Sequence, residues 1–123
     1  MEYPRLWKLG LIQNNVRKRA NHQCEQCGME FVEGTNLAKT ATNRLGNPMI
    51  GTVHHIDMDK QNCSMNNLVY LCQSCHWTIH LLDWTPGKMI PLYWMDNIPK
   101  WIIDRDLGYI PHKQLPLFEV MTS

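Results

Sequence analysis

Residues 68–80 read Leu68-Val69-Tyr70-Leu71-Cys72-Gln73-Ser74-Cys75-His76-Trp77-Thr78-Ile79-His80. Leu68 to Leu71 is a short, β-prone apolar run and predicts a strand. The chain then passes through a Cys72-x-x-Cys75 knuckle into a helix spanning about 73–82. On that helix His76 and His80 stand at i and i+4, on one face and close enough to share one ion. One strand-to-helix unit therefore carries two thiols at its turn and two imidazoles a helical turn apart.

Upstream, Thr52-Val53-His54-His55-Ile56 predicts a second short strand, joined to the first by a loop over 57–66. Adjacent residues on a strand face opposite ways, so His54 and His55 cannot do the same job in regular geometry. One can bind a metal while the other works beside it. Four of the six histidines thus gather on two elements. Scattered surface positions explain a lone histidine well and two paired clusters poorly.

The cysteines point to a second metal. Cys24-Glu25-Gln26-Cys27-Gly28 has the spacing and the following glycine of a tight turn that aims two sulfurs at one point. Together with Cys72 and Cys75 it supplies four thiolates, the full tetrahedral shell of a structural zinc, with no position left open for catalysis. The 44 residues between Cys27 and Cys72 make such an ion a tie between distant parts of the chain. Two unrelated reduced pairs would be the plain alternative. Cys63 has no partner in this scheme and is read as a small loop residue.

The remaining segments organise around these motifs. Leu9, Ile12, Val16 and Ala20 have helical spacing, giving an N-terminal helical segment within 1–20 that ends in Arg17, Lys18 and Arg19. The core runs over 21–82, with a polar, glycine-punctuated loop expected from Gly34 to Gly51 and a turn at Asn47-Pro48. An extension follows over 83–123, where five prolines and three tryptophans interrupt any periodicity. Trp84, Trp94 and Trp101 are expected to pack rather than to stack on bases. His22 and His112 lack any such context and read as surface residues.

A chain of 123 residues fits one domain with a modest core, which an internal staple would help. Five cysteines cannot all pair, the start Met1-Glu2-Tyr3-Pro4 has no apolar leader, and a reducing cytoplasm is the expectation. The longest apolar stretches fall far short of the roughly 20 residues that span a bilayer, so no membrane association is expected. Twelve basic residues against eleven acidic give a net charge of +1, which does not by itself announce a nucleic-acid binder.

Taken in order, Cys24-x-x-Cys27, Val53-His54-His55-Ile56-Asp57, Asn67-Leu68-x-x-Leu71-Cys72-x-x-Cys75-His76 and His80 resemble the HNH endonucleases, the His-Me-finger or ββα-metal nucleases, in their zinc-knuckled, phage-like form. The resemblance covers about residues 14–82. It implies an α+β fold with a small ββα-metal core, an N-terminal helix, a structural four-cysteine zinc site and an irregular C-terminal tail. It further implies hydrolysis of DNA phosphodiesters with one catalytic divalent ion (Mg²⁺, Mn²⁺, Ni²⁺ or Zn²⁺). In that scheme His55 is the general base, and the side-chain oxygen of Asn67 accepts a hydrogen bond from its other ring nitrogen. Asn66 stands one step off the pattern, and the plain alternative for Asn67 is a turn residue. His54 and His76 hold the ion, with His80 as a third ligand or a support.

Phosphate contacts would fall to Arg17, Lys18, Arg19, Lys39, Arg44 and Lys60, although a solvated helix face explains the first three as well. Gln114-Leu115-Pro116-Leu117-Phe118 resembles the peptide that docks on bacterial sliding clamps, with Leu117 and Phe118 as apolar anchors and Gln114 at the rim. Two other classes compete with the nuclease. A catalytically silent, zinc-stabilised DNA-binding module needs none of His54, His55 and Asn67, and a zinc-ribbon adaptor does not require His76 and His80 on one helical face.

Overall fold

The computed structural model describes residues 3–108. Seven elements follow in order: α1 (Arg5–Lys8), α2 (Leu11–Arg19), β1 (Leu37–Thr42), β2 (Pro48–His55), β3 (Leu68–Cys72), α3 (Gln73–Leu82) and α4 (Lys100–Arg105), with 3-10 turns at Met65–Asn67 and Leu92–Trp94. The result is a small α+β protein built on a three-stranded antiparallel sheet in the order β1-β2-β3. Among the described residues no helix is long and apolar enough to cross a membrane.

The N-terminal helical segment is in two pieces. Gly10 takes a left-handed φ of 78° and starts α2, a conformation that costs glycine little and turns the chain between the helices. Val16 is the buried residue of α2, which packs on β3.

The clearest departure from the sequence reading lies in 34–51. Instead of a loop, this stretch forms β1 and the first half of β2, a hairpin closed by Asn43, whose Oδ1 accepts the backbone N–H groups of Leu45 and Asn47. The missing signal is apolar alternation: β1 is mostly exposed, so its residues need not be hydrophobic. Pro48 begins β2, where the first position of a strand tolerates a residue without an N–H.

β3 is buried at all five positions, which is why it reads as an unbroken apolar run. It pairs with β2 in the register Val53↔Tyr70, His54↔Val69, His55↔Leu68, and α3 packs back across both strands. Gly51 leaves room for a neighbouring ring: a Cβ there would meet the Tyr70 hydroxyl at 2.5 Å and Phe31 at 3.0 Å. Beyond β3 on the side away from β2, Glu25 extends the hydrogen bonding. Its N–H donates to Tyr70 O at 2.8 Å and its carboxylate accepts the Tyr70 N–H at 2.9 Å, docking the first cysteine knuckle on this strand.

Residues 83–108 contribute to the core. Trp84, Trp94 and Trp101 are buried and meet edge-to-face at centroid distances of 5.7 to 6.3 Å, with Ile90 and Ile102 in the same core. Packing is therefore the role of all three rings. Two polar contacts pin this segment to the rest: Trp101 Nε1 donates to Gln26 Oε1 at 3.3 Å, and Arg105 donates to the Leu68 carbonyl at 3.2 Å. Residues 109–123, and with them His112 and the peptide Gln114, Leu115, Leu117 and Phe118, lie outside the described residues.

Candidate metal centres and the histidine cavity

The four sulfurs of Cys24, Cys27, Cys72 and Cys75 lie within 4.8 Å of one another, compatible with a structural metal site. Each knuckle turns its backbone N–H groups onto a sulfur: Gln26 and Cys27 donate to Cys24 Sγ at 3.4 Å, and Cys75 donates to Cys72 Sγ at 3.5 Å. Cys72 is at once the last residue of β3 and the N-cap of α3, so the strand-to-helix turn itself aims the second pair. Cys27 Sγ and Cys72 Sγ are 3.6 Å apart. A tetrahedral ion with metal–sulfur bonds of about 2.3 Å has edges of about 3.8 Å, so this spacing fits such an ion with little adjustment.

The donor chemistry makes the same point. The thiols of Cys72 and Cys75 hydrogen-bond to Cys24 and hold it far below the ordinary thiol range. Through the same contacts Cys72 is pushed up to about 12, and Cys75 is raised well beyond the ordinary value. Four thiolates this close repel one another, and a bound cation is what stabilises them together.

The second group is His54, His76 and His80, whose ligand nitrogens also lie within 4.8 Å of one another. The ring centroids are 5.1 Å apart for His54–His76, 5.4 Å for His54–His80 and 4.4 Å for His76–His80. The i, i+4 spacing on α3 brings the Nε2 atoms of His76 and His80 to 2.9 Å. Burial, reinforced by the neighbouring imidazoles, holds His54 down to about 3, and burial and then His80 lower His76. The shifts favour the neutral form of His54 and His76, the form with a lone pair to offer a cation.

His55 faces elsewhere, as the alternation of β2 requires. Its ring lies 4.7 Å from that of Trp7 and 5.9 Å from that of Tyr3, and its Nε2 is 3.4 Å from Cys63 Sγ. Burial lowers its pKa, opposed by Asp57 and Asp59. Standing at the end of β2, it still lines the same cavity of about 240 Å³ as His54, His76, His80, Thr52 and Lys60, with Tyr3 and Trp7 forming one wall.

Asn67 does not make the expected bond to His55. Its side chain is spent within the 56–67 loop: Oδ1 accepts the Asp57 N–H at 3.1 Å, while Nδ2 donates to Asp57 Oδ1 and to Asn62 O, both at 2.8 Å. A side chain with one carbonyl and one amide group that is closing a loop in this way has no oxygen directed at the histidine. Asn66 is exposed and lies in a different cleft.

The basic residues divide into several settings. Arg19 is structural, donating to Met65 O at 2.7 Å and Leu68 O at 2.6 Å and pairing with Glu25 at 2.6 Å. Arg17 bonds Asn14, Lys18 is exposed, and Lys39 on β1 faces Glu30 at 4.0 Å. Lys60 sits at the rim of the histidine cavity with its Nζ 5.2 Å from the centre of the Tyr3 ring. Arg44, in the β1–β2 turn, borders a cleft shared with Trp77, which is 64% exposed. His22 is half-buried, with an Nδ1 that is shut away from solvent and has no hydrogen-bond partner.

Tyr3 and Trp7 as parts of this cavity, and Cys63 as a neighbour of His55, escaped the sequence reading. Tyr3 and Trp7 are some fifty residues from His55 and carry no motif, and Cys63 is marked only by falling in the loop between His55 and Asn67. The fold and these clusters define the chain as a small α+β protein with two groups of side chains suited to holding metal ions. Comparison with family models, curated proteins and solved structures finds no match.

Proposed function

We propose that this chain is a metal-dependent DNA endonuclease of the HNH type, with β2, β3 and α3 as its ββα core and a structural zinc on Cys24, Cys27, Cys72 and Cys75. The observation that carries the reading is the convergence of three imidazoles, His54, His76 and His80, in a cavity that a fourth, His55, also lines. His54 and His76 would hold a divalent ion, with His80 as a third ligand or a support. Such an ion supplies positive charge against the scissile phosphate and the leaving 3′ oxygen.

His55 takes a proton from the attacking water. The water oxygen bonds to phosphorus as the bond to the 3′ oxygen breaks, and a proton from solvent completes the 3′ hydroxyl, leaving a 5′ phosphate. Burial favours the neutral imidazole, the form a general base needs. Lys60 at the rim offers a cation to the backbone of the incoming strand. Asn67 serves by shaping the loop that follows His55 rather than by touching its ring.

The test is incubation of purified protein with supercoiled plasmid and Mg²⁺, Mn²⁺ or Ni²⁺, alongside EDTA and a His55→Ala variant matched in zinc content and folding. Cleavage that requires both the ion and His55 is the expected result. A folded protein that binds DNA but cleaves none with any of these ions would transfer the reading to a silent DNA-binding module.

A further inference from the structure

The ring of His55 has a polar partner that the reaction above does not use. Its Nε2 lies 3.4 Å from Cys63 Sγ, and Cys63 in turn donates its S–H to the Lys60 carbonyl, also at 3.4 Å. A thiol has one proton. With that proton committed to Lys60 O, the sulfur meets Nε2 as an acceptor, so Nε2 carries the ring hydrogen and the lone pair resides on Nδ1. Burial, with Asp59 adding to it, pushes the Cys63 thiol above its ordinary range and keeps the proton on sulfur.

The surroundings hold this arrangement in place. Trp7 lies against the imidazole at 4.7 Å and is itself stacked on Tyr3 at 5.1 Å, which opposes a flip of the His55 ring. The loop bonds of Asn67 to Asp57 and Asn62 carry the chain to Cys63, one residue beyond Asn62. Asn67 is therefore one step removed from the role expected of it, and the cysteine stands in the intervening position.

We propose that Cys63 is the positioning residue of His55: the relay from His55 Nε2–H to Cys63 Sγ–H to the Lys60 carbonyl selects the tautomer whose Nδ1 is free to accept a proton. The catalytic consequence rests on the reading of His55 as the base, whereas the tautomer is a property of the folded protein and can be measured without any substrate.

The experiment compares the zinc-loaded parent with Cys63→Ser and Cys63→Ala, all three matched in zinc content and thermal midpoint. Long-range proton–nitrogen correlation spectra near pH 7 report which ring nitrogen of His55 is protonated. The parent and Cys63→Ser are expected to show the Nε2–H form, because a hydroxyl can both accept and donate in the same relay, and Cys63→Ala a mixture of tautomers. In plasmid cleavage Cys63→Ala is expected to lower kcat on the order of tenfold with KM little changed, and Cys63→Ser to restore most of it. An Nδ1–H parent, or a Cys63→Ala protein with the parent spectrum and parent kcat, would overturn the proposal. A parent that cleaves no DNA while its spectra follow the expected pattern would sink the nuclease reading and uphold the relay.

Discussion

Replacing Cys24 by serine probes the tie between the two halves of the chain. Cys24 is 3% exposed, and its sulfur receives two backbone N–H groups of its own knuckle. A metal on the four cysteines joins Cys27 to Cys72 across 45 positions. Closing a loop of that length restricts the unfolded chain by about 4 kcal/mol at 25 °C, on the entropic model used for covalent cross-links. Domains of this size have about 5–15 kcal/mol in total, so the tie amounts to a large share of the stability.

At several degrees per kcal/mol, Cys24→Ser should lower the thermal midpoint by about 15 °C. The assay is thermal unfolding by circular dichroism, with metal content measured on the same samples. A strong chelator should bring the parent down to the variant and leave the variant unmoved. His76→Ala, which touches the other cluster, should change the midpoint far less. A metal-free parent melting within about 2 °C of the loaded one would refute the reasoning, because the loop-closure term would then be absent.

Asn67→Ala should cost about 2–3 kcal/mol in denaturant unfolding, since it removes three hydrogen bonds made by a buried side chain. Burial raises the pKa of Asp57, but bonds from Asn62, the Asp59 N–H and Asn67 outweigh it and leave it below its ordinary 3.8. The carboxylate's contribution is therefore full above pH 3.8 and is lost as pH falls through the lower folded value, so the gap between parent and Asn67→Ala should narrow in strong acid without closing, because two of the three bonds do not involve the carboxylate. Neutralising Arg17 and Lys18 should weaken DNA binding and reduce its salt slope by about 2, measured by a salt titration, whereas Arg19→Ala should chiefly lower the thermal midpoint because Arg19 holds Met65 and Leu68. Bacterial sliding clamp should be captured by the full chain and lost on combined Leu117→Ala and Phe118→Ala, with equal capture by both proteins counting against the docking peptide.

The sequence alone was enough to mark the strand at 68–71, which in the fold runs one residue further to Cys72, the helix at 73–82 and both cysteine knuckles. These are local matters: an apolar run, a two-residue spacing and a 3.6-residue period are written within a few positions of each other. The different facing of His54 and His55 was legible for the same reason, because alternation along a strand follows from backbone geometry. The burial of Trp84, Trp94 and Trp101 was equally foreseeable from the size of their rings.

What only the tertiary structure decided depends on contacts between residues far apart, or on surfaces that need not be apolar. The β1–β2 hairpin had no pattern to show because most of β1 faces solvent. Arg19 looked like its neighbours until Glu25 and the carbonyls of Met65 and Leu68 were brought to it. The surroundings of His55 were the least visible of all. Asn67 and Cys63 lie in the same loop, both can hydrogen-bond, and only the path that closes this loop onto Asp57 determines which of them reaches the ring.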